Sequence, residues 1–182
     1  MMSMIRFLAP AVLASLSLIA SGAALASKTY DTVDGYWRTI DDKTGFAKAI
    51  VQVSKDTEGN YQGTIVKIIP RPNYTPREFC QNCPAPYTNK PILGLKILNH
   101  LQQTDKANAR VLTGAEILDP LNGHIYKCKA KLSEDGRRLQ IRAYIGTPII
   151  GRSLIWLRED GAPTAATGAI IAPAAHPATE NH

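Results

Sequence analysis

Gly35-Tyr36-Trp37 carries more information about the fold than any other short segment of the chain. A lone G-x-W pattern is a weak motif, and its position gives it meaning. It opens the first predicted strand, while a second tryptophan, Trp156, lies with Arg158 on the last predicted strand. The two tryptophans therefore mark the beginning and the end of one predicted all-β domain.

Short alternating runs, separated by turn residues at fairly even intervals, indicate a sandwich or a barrel. Asn122-Gly123 and Asp135-Gly136 fit hairpin turns, because both pairs accept positive φ angles at low cost. We expect a single antiparallel up-and-down β-barrel of seven to eight strands. The clear strands are predicted near residues 35–41, 46–53, 61–69, 111–118, 124–132, 138–145 and 150–158.

Residues 70–91 interrupt this pattern with six of the 12 prolines of the chain. Proline cannot donate to a strand ladder, so this segment is predicted to be a long loop near one mouth of the barrel. The apolar run at 92–101 fits either an eighth strand or a short helix, because periodicity does not separate the two.

The first 26 residues are predicted to be a secretory signal peptide. Arg6 is their only charged residue, the run from Phe7 to Ala20 is apolar, and Ala24-Leu25-Ala26 fits a small-residue cleavage site. We expect a periplasmic or secreted mature chain, with the barrel domain at 27–159. Residues 160–182 are rich in Ala and Pro and are predicted to be a disordered tail.

The charge balance is modestly basic. The chain has 21 Lys and Arg against 15 Asp and Glu, a net charge of +6, and loss of Arg6 would leave 20 against 15. No arginine-rich arm or basic strand with stacking aromatics is present, so nucleic acid is not an expected partner.

Residues 124–132 and 138–145 predict a hairpin with an apolar inner face and a basic outer face. That basic face is either a solvated exterior or a contact surface for an anionic component of the cell envelope. Its side chains are Lys127, Lys129, Lys131, Arg138 and Arg142.

Three cysteines leave two disulfide pairings open in an oxidising compartment. The leading prediction is a local bridge between Cys80 and Cys83, with Cys128 as a buried thiol among apolar neighbours. The alternative is a bridge from Cys128 to one of the other two, which would hold the long loop over the barrel.

A thiol-redox or zinc role for the Cys80-x-x-Cys83 pair is a third possibility for function. A redox pair needs a helix after it to lower the thiol pKa, and Pro84-Ala85-Pro86 follows instead. Zinc would need further ligands, for which Cys128, His100 and His124 are the candidates. No nucleophile elbow, H-E-x-x-H motif or paired-carboxylate spacing is present, so we expect neither an enzyme nor a cofactor.

A set of short motifs, together and in this order, resembles a family of exported bacterial proteins known as domain-of-unknown-function family 2147. The resemblance covers about 35–158 and implies a lipocalin-like barrel, with no established activity. The motifs are Gly35-Tyr36-Trp37, Cys80-x-x-Cys83, Gly94-Leu95, 114–120, 122–128, 142–146 and 151–158.

The lipocalin resemblance also implies how one end of the barrel closes. A first-strand tryptophan packs on a last-strand arginine in that group, so Trp37 and Arg158 would close this barrel, with Arg152 as the alternative arginine. A cation on an indole face contributes about 0.5–2 kcal/mol. Otherwise the tryptophans are ordinary core residues.

We expect a non-enzymatic binding module that holds a small lipophilic molecule in an apolar lumen. A barrel of this size has room for one small ligand or only for packed side chains. In the second case the chain would be a structural or interaction protein of the cell envelope. The predicted lumen residues are Val51, Val53, Ile65, Tyr126, Ala130, Ile141 and Ala143.

Overall fold

The computed structural model describes residues 28–104 and 108–163. The predicted signal peptide at 1–26 lies outside this part of the chain, as does the predicted tail apart from its first four residues. In the described part, no helix is long and apolar enough to cross a membrane.

Eight strands form a closed antiparallel barrel, which confirms the predicted fold. Each strand pairs with the next along the chain, and the last strand pairs with the first. The strands are β1 (Gly35–Ile40), β2 (Ala47–Lys55), β3 (Tyr61–Ile68), β4 (Lys96–Leu101), β5 (Val111–Leu118), β6 (Ile125–Leu132), β7 (Arg138–Tyr144) and β8 (Gly151–Glu159).

The ambiguous apolar run resolves into a loop end and a strand. Residues 92–95 belong to the loop after β3, and β4 begins at Lys96. The helical alternative for this run was wrong. Ile97, Leu98 and Leu101 are buried in the core, so packing against the barrel interior decides the conformation.

Up-and-down connectivity gives the barrel two distinct ends. The connections at 41–46, 69–95, 119–124 and 145–150 lie at one end, which we call the open end. The segment 28–34 and the connections after β2, β4 and β6 lie at the other, which we call the closed end.

The interior follows the period-two rule that strands impose, with inward side chains apolar and outward ones polar. On β6, Cys128, Ala130 and Leu132 are buried while the alternating lysines are exposed. On β7, Leu139, Ile141 and Ala143 are buried. Other strands depart from strict alternation, since the adjacent Ile97 and Leu98 of β4 are both buried and Ile155 and Leu157 of β8 are exposed. The buried side chains of the strands form one continuous core.

Candidate functional site

At the closed end, Arg158 lies against Trp37. The two residues face each other across the β1–β8 ladder, and the guanidinium carbon of Arg158 is 4.2 Å from the centre of the Trp37 ring. Tyr30 lies 4.4 Å from the same guanidinium carbon. The guanidinium group is therefore in contact with two aromatic rings, an arrangement favourable for a cation.

Hydrogen bonds bind Arg158 to the segments that cover this end. Its Nε donates to the carbonyl of Gly136 at 2.7 Å, and its two Nη atoms donate to the carbonyls of Asp34 and Thr32. Burial lowers the pKa of Arg158, although an arginine remains charged at neutral pH. These contacts join the N-terminal segment, the β6–β7 turn and β8.

Gly35 has a steric reason to precede Trp37. Its φ angle is 125°, and a Cβ there would lie 2.9 Å from an Nη atom of Arg158. The first residue of the G-x-W pattern thus leaves room for the arginine that covers the tryptophan. Trp37 is fully buried, and its indole Nε1 donates to the carbonyl of Val33 at 2.8 Å.

The half of the lumen next to the open end contains a cavity of about 120 Å³. Its wall is mostly aliphatic, and its aromatic residues are Tyr74, Tyr126 and Trp156. The long β3–β4 loop and the β5–β6 loop complete its rim. The apolar side chains that line it include Ala49, Val51, Ile65, Ile68, Ile97, Ile117, Leu154 and Trp156.

The predicted lumen residues divide between this cavity and the packed half of the barrel. Val51, Ile65, Tyr126 and Ala143 line the cavity. The other three are buried in the core but do not line it, and they are Val53, Ala130 and Ile141. That any of the seven contacts a ligand remains a prediction.

Charged residues at the rim were not foreseen as part of the site. Lys48, Arg71, Arg77, Asp119 and Arg152 all line the cavity. Three of the five come from loops at the open end, and Lys48 and Arg152 come from strand ends beside such a loop. The distribution of loop residues in space cannot be inferred from their sequence spacing, so only the Pro-rich composition of 70–91 pointed to this rim.

Arg152 does not take the place of Arg158 at the closed end. It lies near the start of β8, at the open end, and its Nη2 donates to Asp119 at 2.9 Å. Its guanidinium carbon is 5.6 Å from the centre of the Tyr126 ring. The two arginines of β8 therefore lie at opposite ends of the lumen.

Cys80 and Cys83 form a disulfide bond, which confirms the local pairing. Both cysteines are buried, and they belong to the hydrophobic core together with Ile92 and Leu95 of the same loop. The backbone of Gly123 packs against this loop so closely that a Cβ would lie 1.9 Å from the carbonyl oxygen of Asn82. The disulfide loop is thus fixed onto the β5–β6 turn.

Cys128 is a free, buried cysteine on the inward face of β6. Burial, with a smaller contribution from Glu116, raises the pKa of its thiol to about 12. Such a thiol remains protonated at neutral pH, whereas nucleophiles and metal ligands need the thiolate. His100 and His124 are both exposed. Within residues 28–104 and 108–163, no three His, Cys, Asp or Glu side chains are grouped to hold a metal ion.

The basic outer face of the β6–β7 hairpin is present, but only one of its basic pairs is directly cross-strand, Lys129 with Arg142. Arg142 donates to the carbonyls of Pro148 and Ile149, both at 3.0 Å. Lys127, Lys129, Lys131 and Arg138 are exposed. Such a face can bind an anionic surface or remain solvated.

Two comparisons with known proteins give matches. A structure described as protein HP1028 from the human pathogen Helicobacter pylori, which belongs to the lipocalin family, superposes with a TM-score of 0.58 at 16% identity. The match covers 70% of this chain and 83% of that one. No curated protein matches. The family model described as "Uncharacterized protein conserved in bacteria (DUF2147)" matches residues 35–158. This chain belongs to the DUF2147 family.

Proposed function

We propose that this protein is an exported, non-enzymatic binding module that holds a small lipophilic molecule in the open half of its barrel. The observation that carries the proposal is the apolar cavity of about 120 Å³ at the open end. Barrels of eight strands hold either one small ligand or packed side chains, and here the half of the lumen next to the open end contains a cavity. Ligand cavities are typically apolar with a few polar groups that orient the ligand, as here.

Export to the periplasm or beyond is part of this proposal. The composition of residues 1–26 supports it, because a short apolar run precedes a small-residue cleavage pattern. The Cys80–Cys83 disulfide also supports it, because disulfides persist in oxidising compartments.

To test the proposal, the mature exported protein is purified without reducing agent and titrated with the neutral lipophilic dye N-phenyl-1-naphthylamine. We expect saturable one-to-one binding. Ala143→Leu should weaken dye binding by about tenfold or more. The larger side chain would occupy volume that the dye needs, and each methylene that the dye can no longer bury reduces its binding free energy. A loss of about 1.4 kcal/mol in binding free energy corresponds to tenfold weaker binding. Gln140→Leu is the matched control, because Gln140 is exposed on the outer face of the same strand.

Loss of binding in Ala143→Leu but not in Gln140→Leu would support a ligand in the lumen. Equal effects of the two variants would mean that the dye binds the exterior. No saturable binding at all would reject the carrier function. The alternative would then be an interaction protein of the cell envelope that uses the exposed basic face of the β6–β7 hairpin.

A further inference from the structure

Two arginines that line the cavity each have a buried Nε donor without a hydrogen-bond partner. The Nε groups of Arg71 and Arg152 are buried and have no partner. In the part of the chain that the structure describes, they are the only buried side-chain nitrogen or oxygen atoms in this condition. Both residues line the same cavity. Buried donors are nearly always satisfied in proteins, so these two guanidinium groups have hydrogen-bonding capacity that the protein itself does not use.

The aromatic neighbours of the two arginines fix their guanidinium groups. Arg71 lies in the β3–β4 loop, with its guanidinium carbon 4.2 Å from the centre of the Tyr74 ring. Arg152 lies near Tyr126 and is paired with Asp119. Stacking limits the motion of a guanidinium plane and leaves its edge, which carries the donors, available to an acceptor.

The charges of the rim do not balance. Lys48, Arg71, Arg77 and Arg152 line the cavity against a single carboxylate, Asp119. Lys48 is paired with Asp41 at 3.7 Å, and Asp119 is paired with Arg152. Arg71 forms no ion pair with any residue of 28–104 or 108–163. Arg77 forms none either, so Arg71 and Arg77 are both rim cations for which a counter-charge is missing.

We propose that the cavity takes an anionic amphiphile, whose acidic headgroup accepts hydrogen bonds from Arg71 and Arg152 while its apolar chain lies against the aliphatic wall. This inference rests on the proposed function and specifies its ligand class. A neutral lipophile would leave the positive charge of Arg71 without a counter-charge. A carboxylate or phosphate has the oxygen geometry that guanidinium groups bind best. Ile65, Ile117 and Leu154 are among the wall residues that would contact the chain.

The test compares three probes that share a twelve-carbon chain and differ in the headgroup: dodecanoate, dodecyl phosphate and dodecanol. Each displaces N-phenyl-1-naphthylamine from the full-length exported protein. We expect the better of the two anions to bind about tenfold or more tightly than dodecanol, as hydrogen bonds to charged groups predict. The anion that binds more tightly indicates whether a free fatty acid or a phosphate-bearing lipid is the natural source.

Arg71→Gln should weaken binding of the preferred anion about tenfold, and Arg71→Gln with Arg152→Gln should weaken it further. Dodecanol affinity should change by less than about threefold in both variants, because the apolar wall is unaltered. Lys55→Gln is the matched control. It removes the same unit of charge from an exposed side chain at the end of β2, on the closed side of the barrel.

Salt dependence provides a second measurement that needs no variant. Added sodium chloride should weaken binding of the preferred anion and leave dodecanol binding unchanged, since salt screens only the charged interaction. The headgroup site would be wrong if dodecanol bound as tightly as both anions, or if the anion preference persisted in the double variant. Failure of all three probes and of the dye would instead reject the binding function itself.

Discussion

At the scale of single residues, Arg158 is the group that connects the most separate parts of the closed end. It contacts the rings of Trp37 and Tyr30, and it donates to carbonyls of the N-terminal segment and of the β6–β7 turn. Its loss would leave the partly buried carbonyls of Gly136 and Asp34 without this donor and remove a cation from two aromatic faces. Both effects destabilise the folded state.

A double-mutant cycle measures the part of this effect that belongs to the Arg158–Trp37 contact. We expect Arg158→Met and Trp37→Phe each to lower the free energy of unfolding, with a coupling energy of about 0.5–2 kcal/mol between them. Urea denaturation of the wild type and the three variants supplies the values. Arg137→Met is the control partner, because the Arg137 guanidinium lies beside Tyr30 at the same end. Its effect should add to that of Trp37→Phe within about 0.5 kcal/mol. Additivity in the Arg158 cycle would show that the two side chains do not stabilise each other.

Contacts of single residues could be predicted from the sequence only where the residues are close in sequence or where a family resemblance implies the contact. The pairing of Trp37 with Arg158 was expected only from the resemblance to lipocalins, because the two residues are distant in sequence. Arg71 and Arg152 had no local signal. Both arginines line one cavity because the β3–β4 loop passes close to β8. The path of that loop cannot be predicted from the hydrophobic period of the sequence or from the spacing of its residues.

At the scale of elements, the β3–β4 loop is a structured part of the barrel, although its prolines exclude it from a strand ladder. Cys80, Cys83 and Ile92 lie in the hydrophobic core. Arg77 donates to the carbonyl of Leu121 at 3.1 Å, which connects the loop to the β5–β6 turn. Because Arg71 belongs to the same loop, the position of the loop on the barrel sets the position of the proposed headgroup site.

The contact between these two loops is tested by Gly123→Ala with Gly59→Ala as its control. Both glycines have positive φ angles, 78° and 83°, so both substitutions introduce backbone strain of about 1–2 kcal/mol. A Cβ at Gly59 meets no atom within 4 Å, whereas one at Gly123 would meet the Asn82 carbonyl. We expect thermal unfolding to show Gly123→Ala as less stable than Gly59→Ala by about 1–3 kcal/mol. Equal stabilities would mean that the disulfide loop moves freely away from the turn.

Elements were predicted well where one face must be buried. The alternation of apolar and polar residues and the turn residues between the runs located seven strands, because every second side chain of a barrel strand points into the apolar interior. The eighth, β4, was ambiguous because the adjacent Ile97 and Leu98 are both buried, so its apolar residues do not alternate. The loop was recognised from its prolines, but its packing against Gly123 depends on tertiary contacts.

At the scale of the whole molecule, the barrel has one packed half and one half that contains a cavity. Residues of the packed half, such as Leu101, Leu132 and Leu139, are fully or almost fully buried, and Arg158 covers that end. The open half contains the cavity of about 120 Å³, which is lined in part by residues of the β3–β4 loop. Unfilled volume costs stability, so the half with the cavity is expected to contribute less to stability than the packed half.

Two alanines on neighbouring strands test this division directly. Ala130 and Ala143 both face inward and are both buried, but only Ala143 lines the cavity. Ala130→Leu must insert three carbon atoms among packed neighbours, so we expect the free energy of unfolding to fall by about 1–3 kcal/mol. Ala143→Leu can direct the same atoms into the cavity, so its stability should change by less than about 1 kcal/mol, because added buried carbon offsets any strain. Urea denaturation of both variants without ligand gives the comparison. If Ala143→Leu were destabilised as much as Ala130→Leu, the open half of the lumen would be filled in solution and could not hold a ligand.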